Sequence, residues 1–94
     1  MFEIQMGEGD RVEMSGRLDA SQVDKAEELL GTMGGPVSLD MSALDYISSA
    51  GISVILRLHK RLEAAGAVLT LVSPQPHVRN VFHYAGLDQV LKIE

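Results

Sequence analysis

The 94-residue sequence contains no cysteine and no tryptophan. Without cysteine the chain cannot form a disulfide, a thiolate metal site or a cysteine nucleophile, so its core must hold by packing alone. The only aromatic residues are Phe2, Tyr46, Phe82 and Tyr84, and they are scattered along the chain. So few aromatic rings cannot form the stacking surfaces that bind single-stranded nucleic acids.

Positive charge is also scarce. Eight Lys and Arg residues stand against 13 Asp and Glu residues, which gives a net charge of −5. Such a surface repels phosphate backbones, so we expect no nucleic-acid partner. The longest apolar run, residues 54–56, is far too short to span a membrane, and the start of the chain lacks the basic region of a signal peptide. We therefore expect a soluble, cytoplasmic protein with no membrane partner.

No constellation in the sequence predicts catalysis or metal binding. His59, His77 and His83 lack the spacing of metal ligands. Asp40 and Asp45 are not accompanied by the acidic cluster and the lysine that a phospho-aspartate receiver would need. The chain also lacks a glycine-rich nucleotide loop with a lysine and a nucleophile-elbow serine. We expect a protein that is not an enzyme and that carries no cofactor and no metal.

Two alternating stretches open the chain. Phe2, Ile4 and Met6 alternate with polar residues, and the same pattern returns at Val12 and Met14 after a glycine-rich turn. Alternation of period two on both sides of a turn predicts an antiparallel hairpin with one buried face.

Three later segments carry apolar residues three or four positions apart, which is the period of an amphipathic helix. They cover residues 23–33, 52–65 and 78–85, and a glycine follows or closes each of them. Asp19 or Ser21 can cap the first of these helices.

The segments between the helices are predicted strands. A third strand begins at Val37 and ends near residues 40–42, and Leu44, Tyr46 and Ile47 then form a connection whose apolar side chains turn inward. A fourth strand near residues 68–72 is apolar enough to be buried on both faces, and a short fifth strand follows near residues 90–93. The order β-β-α-β-α-β-α-β predicts a single α/β domain over residues 1–94. Its mixed, mostly parallel β-sheet carries about three α-helices and an antiparallel N-terminal hairpin.

The strongest functional signal lies where the central helix begins. Ser48 or Ser49 stands where a helix needs a capping oxygen, and Ala50 and Gly51 keep the first turn small. A phosphate here would meet unpaired backbone N–H groups and the positive end of the helix dipole. Such a serine can serve only as a cap, or it can accept a phosphoryl group that adds about −1.5 to −2 charges at neutral pH.

Two apolar residues flank the buried stripe of this helix. Ile52 and Leu56 lie beside the face formed by Val54, Ile55, Leu58, Leu62 and Ala65. They make the stripe wider than burial in a core requires. The pattern fits a broad core stripe, and it also fits a surface for a protein partner.

The segment LDYISSAGI at residues 44–52, after a strand ending LDMS at residues 39–42, resembles the core motif of the anti-sigma-factor antagonists, the bacterial STAS-domain family. Further matches are GRLD at residues 16–19, AG at residues 65–66 and the segment from SP at 73–74 to AGL at 85–87. Because these motifs follow in the family's order and spacing, the resemblance covers nearly the whole chain.

The resemblance implies a STAS-type fold and a switch that works by changing protein partners. In that family the serine two places before the glycine of the turn is phosphorylated by a serine kinase that is also the anti-sigma factor, and here that serine is Ser49. The unphosphorylated antagonist binds the kinase and frees the sigma factor. Phosphorylation ends this binding and a PP2C-type phosphatase restores it. ATP belongs to the kinase, so the chain needs no nucleotide site of its own.

The resemblance also implies a surface for the partner. The family's aspartate after the second strand, which lies near the phosphorylated turn, corresponds to Asp19. With the turn and the flank of the helix it predicts a partner-binding set made of Asp19, Ser48, Ser49, Ala50, Gly51, Ile52 and Leu56.

Two positions depart from the family's pattern. Ser48 stands where aspartate is usual, which removes a carboxylate and adds a competing hydroxyl, and Ala50 stands where serine or threonine is usual. We predict phosphorylation at Ser49, because its offset from Gly51 matches and it lies nearest the expected cap, and we keep Ser48 as the runner-up. Two other functions stay open: a constitutive, non-phosphorylated STAS interaction subunit of a transport or signalling complex, and a small-molecule or nucleotide sensor that binds an anion at the helix start.

Overall fold

A computed structural model describes residues 1–94 and contains five strands and three α-helices. The strands are β1 (Phe2–Met6), β2 (Arg11–Leu18), β3 (Val37–Ile47), β4 (Leu69–Val72) and β5 (Lys92–Ile93). The helices are α1 (Val23–Leu30), α2 (Ser49–Ala64) and α3 (Pro76–Tyr84), and short 3₁₀ turns occupy Ala20–Gln22 and Leu87–Gln89. All eight predicted elements are present in the predicted order.

The five strands form one sheet in the order β1-β2-β3-β4-β5. β1 pairs antiparallel with β2, and the other neighbouring strands pair in parallel. The predicted α/β class, with a mostly parallel sheet and an N-terminal hairpin, is therefore confirmed. None of the helices combines the length and the apolar character that crossing a bilayer requires.

All three helices cover the same face of the sheet. Each helix-linked crossover moves one strand further in the same direction, and right-handed crossovers of this kind place every helix on one side. Buried side chains from α1, α2 and α3 accordingly join the inward side chains of the strands in one core cluster of 20 residues.

The opposite face of the sheet is free of helices and largely polar. In β4, Leu69 and Leu71 point into the core, whereas Thr70 and Val72 are only partly buried. The prediction that the fourth strand is buried on both faces is therefore wrong. A run of apolar residues in one strand does not reveal whether helices cover one face of the sheet or both, since that is set by the direction of the crossovers.

β3 is longer than predicted. The segment expected to be a connection continues the strand as far as Ile47 and pairs with β2. One extra residue of β3 enters at each of two irregularities in this pairing, which keeps Leu44 and Ile47 buried in the core. Tyr46 was predicted to point inward, but it pairs with Arg17 on the helix-free face and is 38% exposed.

α2 packs its predicted stripe into the core. Val54, Ile55, Leu58 and Leu62 are all buried, whereas Ala65, which was predicted to continue the stripe, lies at the end of the helix and is exposed. The helix stops there, as predicted from the Ala65-Gly66 pair.

The start of α2 lies unusually close to the end of β2. A Cβ atom on Gly51 would lie 2.7 Å from the carbonyl oxygen of Leu18 and 2.9 Å from Cγ1 of Ile47. The small first turn predicted from the sequence is present, and Gly51 allows α2 to pack closely against the ends of β2 and β3. Glycine is required here because any side chain would push the helix away from the sheet.

We predict that Gly51→Ala lowers the free energy of unfolding by about 1–3 kcal/mol, because the added methyl group overpacks this contact. The loss should occur although alanine favours a helix more than glycine does. Gly34→Ala is the matched control, since its Cβ would meet nothing within 4 Å. Urea unfolding followed by circular dichroism measures both variants, and equal stability of the two would contradict the packing argument.

Candidate functional site

Ser48 is the N-cap residue of α2, and the chain itself uses all of its polar groups. Its hydroxyl oxygen accepts a hydrogen bond from the Gly51 N–H at 3.2 Å. Its own N–H donates to the Leu18 carbonyl at 3.0 Å, and its carbonyl accepts from the Ile52 N–H at 2.9 Å. This serine therefore joins the helix to the strand beside it.

Ser49 is the first residue of α2, and its side chain is free. The residue is exposed, and its hydroxyl forms no hydrogen bond within the chain. The backbone N–H groups of Ser49 and Ala50 also find no acceptor in the chain, as is usual in the first turn of a helix. Ser49 was predicted to lie nearest the N-cap. The structure corrects this by one residue, because Ser48 is the N-cap and supplies the capping oxygen.

The two adjacent serines thus have different chemical situations. The Ser48 oxygen already accepts a hydrogen bond that the helix start needs, whereas the Ser49 oxygen can change without breaking any contact. A negative charge on Ser49 would also lie at the positive end of a 16-residue helix, where it is electrostatically favoured. Of the two hydroxyl groups, that of Ser49 is therefore better placed to accept a phosphoryl group.

Asp19 caps the short 3₁₀ turn that leads into α1. Its carboxylate accepts from the Ser21 hydroxyl at 2.6 Å and from the Ser21 N–H at 3.0 Å. The hydrogen bond from the Ser21 side chain lowers the pKa of Asp19 most, and the Ser21 backbone and the charge of Arg17 act in the same direction against a partial desolvation. Asp19 is therefore ionised at neutral pH. The prediction that Asp19 or Ser21 caps α1 is wrong, because the N-cap residue of α1 is Gln22, which makes no side-chain capping hydrogen bond; Asp19 caps only the turn before it.

Asp19 and Ser48 lie at the same edge of the sheet. They follow Leu18 and Ile47, which are paired residues at the carboxyl ends of two parallel strands. The structure thus brings Asp19 to the edge where the serine turn lies, as the resemblance implied.

The remaining predicted partner-binding residues differ in accessibility. Ala50, Ile52 and Leu56 are partly buried, and Ile52 and Leu56 pack against the border of the core. Gly51 is buried against Leu18 and leaves no surface for a partner. Its contribution is to hold α2 close to the sheet.

Two side-chain contacts that stabilise this edge were not predicted from the sequence. Gln75 Nε2 donates to the Ser42 carbonyl at 3.0 Å, and His77 Nε2 lies 2.5 Å from the Asp45 carbonyl oxygen. Both come from the beginning of α3, and they fix the last part of β3 where it extends beyond β4. The proline at the start of α3 located that helix in the sequence, but no local signal showed which strand it would contact.

The surface hollows of the protein lie away from the serine turn. None of the four is lined by Ser48, Ser49 or Gly51. The geometry therefore adds no support to the prediction of a small-molecule or nucleotide sensor at the helix start.

Comparison with known proteins defines the class of this protein. A family model described as "Mlab, STAS domain" matches residues 2–93. The chain therefore belongs to the STAS-domain family, and the resemblance noted in the sequence is confirmed.

Particular members of the family are similar to this chain over most of its length. It is 40% identical over 74 residues to BtrV of Bordetella bronchiseptica, a protein named as a candidate anti-sigma factor antagonist. That match covers 79% of this chain and 58% of BtrV, so the chain spans little more than half of this relative.

Solved structures of anti-sigma factor antagonists have the same fold. One from Mycobacterium paratuberculosis superposes with a TM-score of 0.87 at 20% identity, covering 99% of this chain and 85% of the other. SpoIIAA in its unphosphorylated form gives a TM-score of 0.74 at 21% identity, covering 100% and 87%. SpoIIAA from Bacillus in its phosphorylated form gives 0.72 at 23% identity, covering 100% and 91%. At these identities the likeness shows the fold alone.

We predict that Ser48→Ala lowers the free energy of unfolding by about 1 kcal/mol, because it removes the N-cap oxygen from Gly51. Ser49→Ala, one residue further on, should stay within about 0.5 kcal/mol of the unmodified chain, since its exposed hydroxyl bonds to nothing. Chemical denaturation of both variants measures the difference. A larger loss for Ser49→Ala would show that the roles of the two serines are reversed.

Proposed function

We propose that this protein is an anti-sigma-factor antagonist, a cytoplasmic switch that binds another protein and is not itself an enzyme. In this proposal it binds an anti-sigma-factor serine kinase while Ser49 is unmodified. Phosphorylation of Ser49 releases it, and a PP2C-type phosphatase restores the binding form. The observation that carries the proposal is the exposed, unbonded Ser49 hydroxyl beside free N–H groups at the start of α2.

The local geometry supports a switch because the fold does not depend on the Ser49 oxygen. The cap at Ser48 and the contact at Gly51 hold α2 in place whatever Ser49 carries. A phosphoryl group would add about −1.5 to −2 charges to the surface at neutral pH and would be stabilised by the helix start. The fold would then persist while the surface offered to a partner becomes more negative and changes shape.

The departure at Ser48 alters the charge of the turn and preserves its structure. Aspartate and serine are both good N-cap residues, so Ser48 supplies the cap that the usual aspartate of the family would supply. What the chain loses is one carboxylate beside the acceptor. Asp19 still provides an ionised carboxylate at the same edge of the sheet.

The relatives support the same reading of the site. BtrV, the relative at 40% identity, is named as a candidate anti-sigma factor antagonist. SpoIIAA has been solved in unphosphorylated and phosphorylated forms, and this chain superposes on the two with TM-scores of 0.74 and 0.72. In SpoIIAA, then, the fold persists when a phosphoryl group is present.

The proposed partner surface consists of the exposed Ser49 and the partly buried residues around it. It includes Asp19, Ser48, Ala50, Ile52 and Leu56, with Gly51 acting from beneath by holding the helix start against the sheet.

A second candidate is a constitutive, non-phosphorylated STAS subunit of a transport or signalling complex. The observation that favours it is Ser48, since a kinase that relies on the usual carboxylate would find none there. In this case the same surface would dock its partner permanently, and no phosphorylated form would occur in cells.

We predict that the chain isolated from its own host carries one phosphoryl group on Ser49 in part of the molecules. Mass spectrometry of the intact protein and of its peptides measures the group and its position. Ser49→Ala should remove it, and Ser48→Ala, the matched control, should retain it. Phosphate on Ser49→Ala would refute the assignment, and its absence from every form would favour the constitutive subunit.

We predict that Ser49→Asp weakens the complex with the kinase that labels Ser49 by about tenfold or more, because a charge is introduced into the interface. Ser49→Asn, which has nearly the same shape and no charge, should weaken it much less. Isothermal titration calorimetry compares the two. Equal losses would mean that the size of the side chain, and not its charge, weakens the complex, which would contradict the prediction.

A further inference from the structure

A stacked pair of side chains lies near the serine turn, on the helix-free face of the sheet. The guanidinium carbon of Arg17 is 4.2 Å from the centre of the Tyr46 ring. The two residues are paired in register between β2 and β3. Both side chains are exposed, because no helix covers this face of the sheet.

The guanidinium of Arg17 has no polar partner in the chain. Carboxylates or backbone carbonyls of the protein hold Arg11, Arg57 and Arg61. The Arg17 side chain forms neither a hydrogen bond nor an ion pair, and among the arginine side chains it shares this only with that of Arg79 on α3. The nearby Asp19 forms no ion pair with Arg17, although the charge of Arg17 helps to lower the Asp19 pKa; one oxygen of the Asp19 carboxylate accepts two hydrogen bonds from Ser21.

Tyr46 holds the guanidinium of Arg17 through its ring, and the strand that carries Tyr46 is fixed on both sides. The residue before it is fixed through its carbonyl oxygen by His77, and β2 pairs with the strand on the other side. Stacking on an aromatic ring occupies the flat face of a guanidinium and leaves the N–H groups at its edge available. The Arg17 side chain is therefore partly ordered before any partner arrives, which lowers the entropic cost of binding.

The pair adjoins the proposed docking surface. Arg17 immediately precedes Leu18, whose carbonyl accepts from the Ser48 N–H, and Tyr46 lies two residues before Ser48. A protein that covers Ser49 and Asp19 at this edge of the sheet would reach Arg17 as well.

We propose that Arg17, held by Tyr46, is a specificity contact that binds an Asp or Glu carboxylate on the kinase. This inference rests on the function proposed above and names one further part of its interface. The planar guanidinium matches a carboxylate with two parallel hydrogen bonds, and arginine and tyrosine are over-represented among the residues that dominate protein interfaces. On a chain with a net charge of −5, a cation without an ion-pair partner selects for a partner protein with an acidic residue at the facing position.

The test uses the full chain and, as the probe, the kinase that labels Ser49. Calorimetry should show that Arg17→Ala raises the dissociation constant about 10- to 100-fold, because a charged hydrogen-bonding partner is lost. Arg17→Lys, which keeps the charge and loses the paired hydrogen bonds, should fall between Arg17→Ala and the unmodified chain. Arg79→Ala is the control for a second unpaired, exposed arginine and should leave the dissociation constant unchanged.

Tyr46→Leu tests how the ring contributes. It should weaken binding when Arg17 is present and should add nothing when combined with Arg17→Ala, because the ring acts through the guanidinium. Independent, additive losses would overturn the role assigned to Tyr46. Circular dichroism of each variant shows that the fold is retained before binding is measured.

The failure of this inference and the failure of the proposed function give different results. If the unmodified chain is never labelled at Ser49, the proposed function is wrong. If it is labelled and Arg17→Ala binds the kinase as the unmodified chain does, the inference about Arg17 is wrong. If Arg17→Ala instead shifts only the phosphorus resonance of phosphorylated Ser49, Arg17 binds the chain's own phosphate, which also overturns the inference.

Discussion

The contact between the start of α2 and the paired ends of β2 and β3 is the constraint on which the rest of the site depends. The Ser48 N–H donates to the Leu18 carbonyl, and Gly51 lies where a side chain would collide with Leu18 and Ile47. Because the two strands are held in register, this contact fixes both the origin and the direction of the helix. The backbone of the first helical residue is consequently held in one position, so its hydroxyl is always presented at the same place on the surface.

The same contact separates structural from chemical roles within two neighbouring residues. Ser48 uses its oxygen to satisfy the Gly51 N–H, so modifying that oxygen would cost the helix its cap. The Ser49 side chain makes no hydrogen bond on which the fold depends, and a negative charge placed there is stabilised by the positive end of the helix dipole. A switch requires this separation, because the part that changes must not be a part that supports the fold.

The one-sided arrangement of the helices gives the site a second accessible face. Since every crossover runs in the same direction, the sheet carries its core on one side and polar side chains on the other. At the carboxyl end of β2 and β3, the helix start and the helix-free face meet at one edge. A docking protein can therefore contact Ser49 from α2 and the Arg17–Tyr46 pair from the sheet in a single interface.

Local pattern alone was enough to determine the order of elements, the hairpin, the parallel sheet and the helix that begins at two serines. Periodicity and capping chemistry act over a few residues, so they are visible in the sequence. Only the tertiary structure decided that Ser48 is the cap, that Tyr46 faces outward with Arg17, and that one face of β4 lacks a helical cover. These features depend on the two extra residues that shift the pairing of β3 with β2 and on the common direction of the crossovers. Such relations join segments far apart in the chain, and no single segment's pattern contains them.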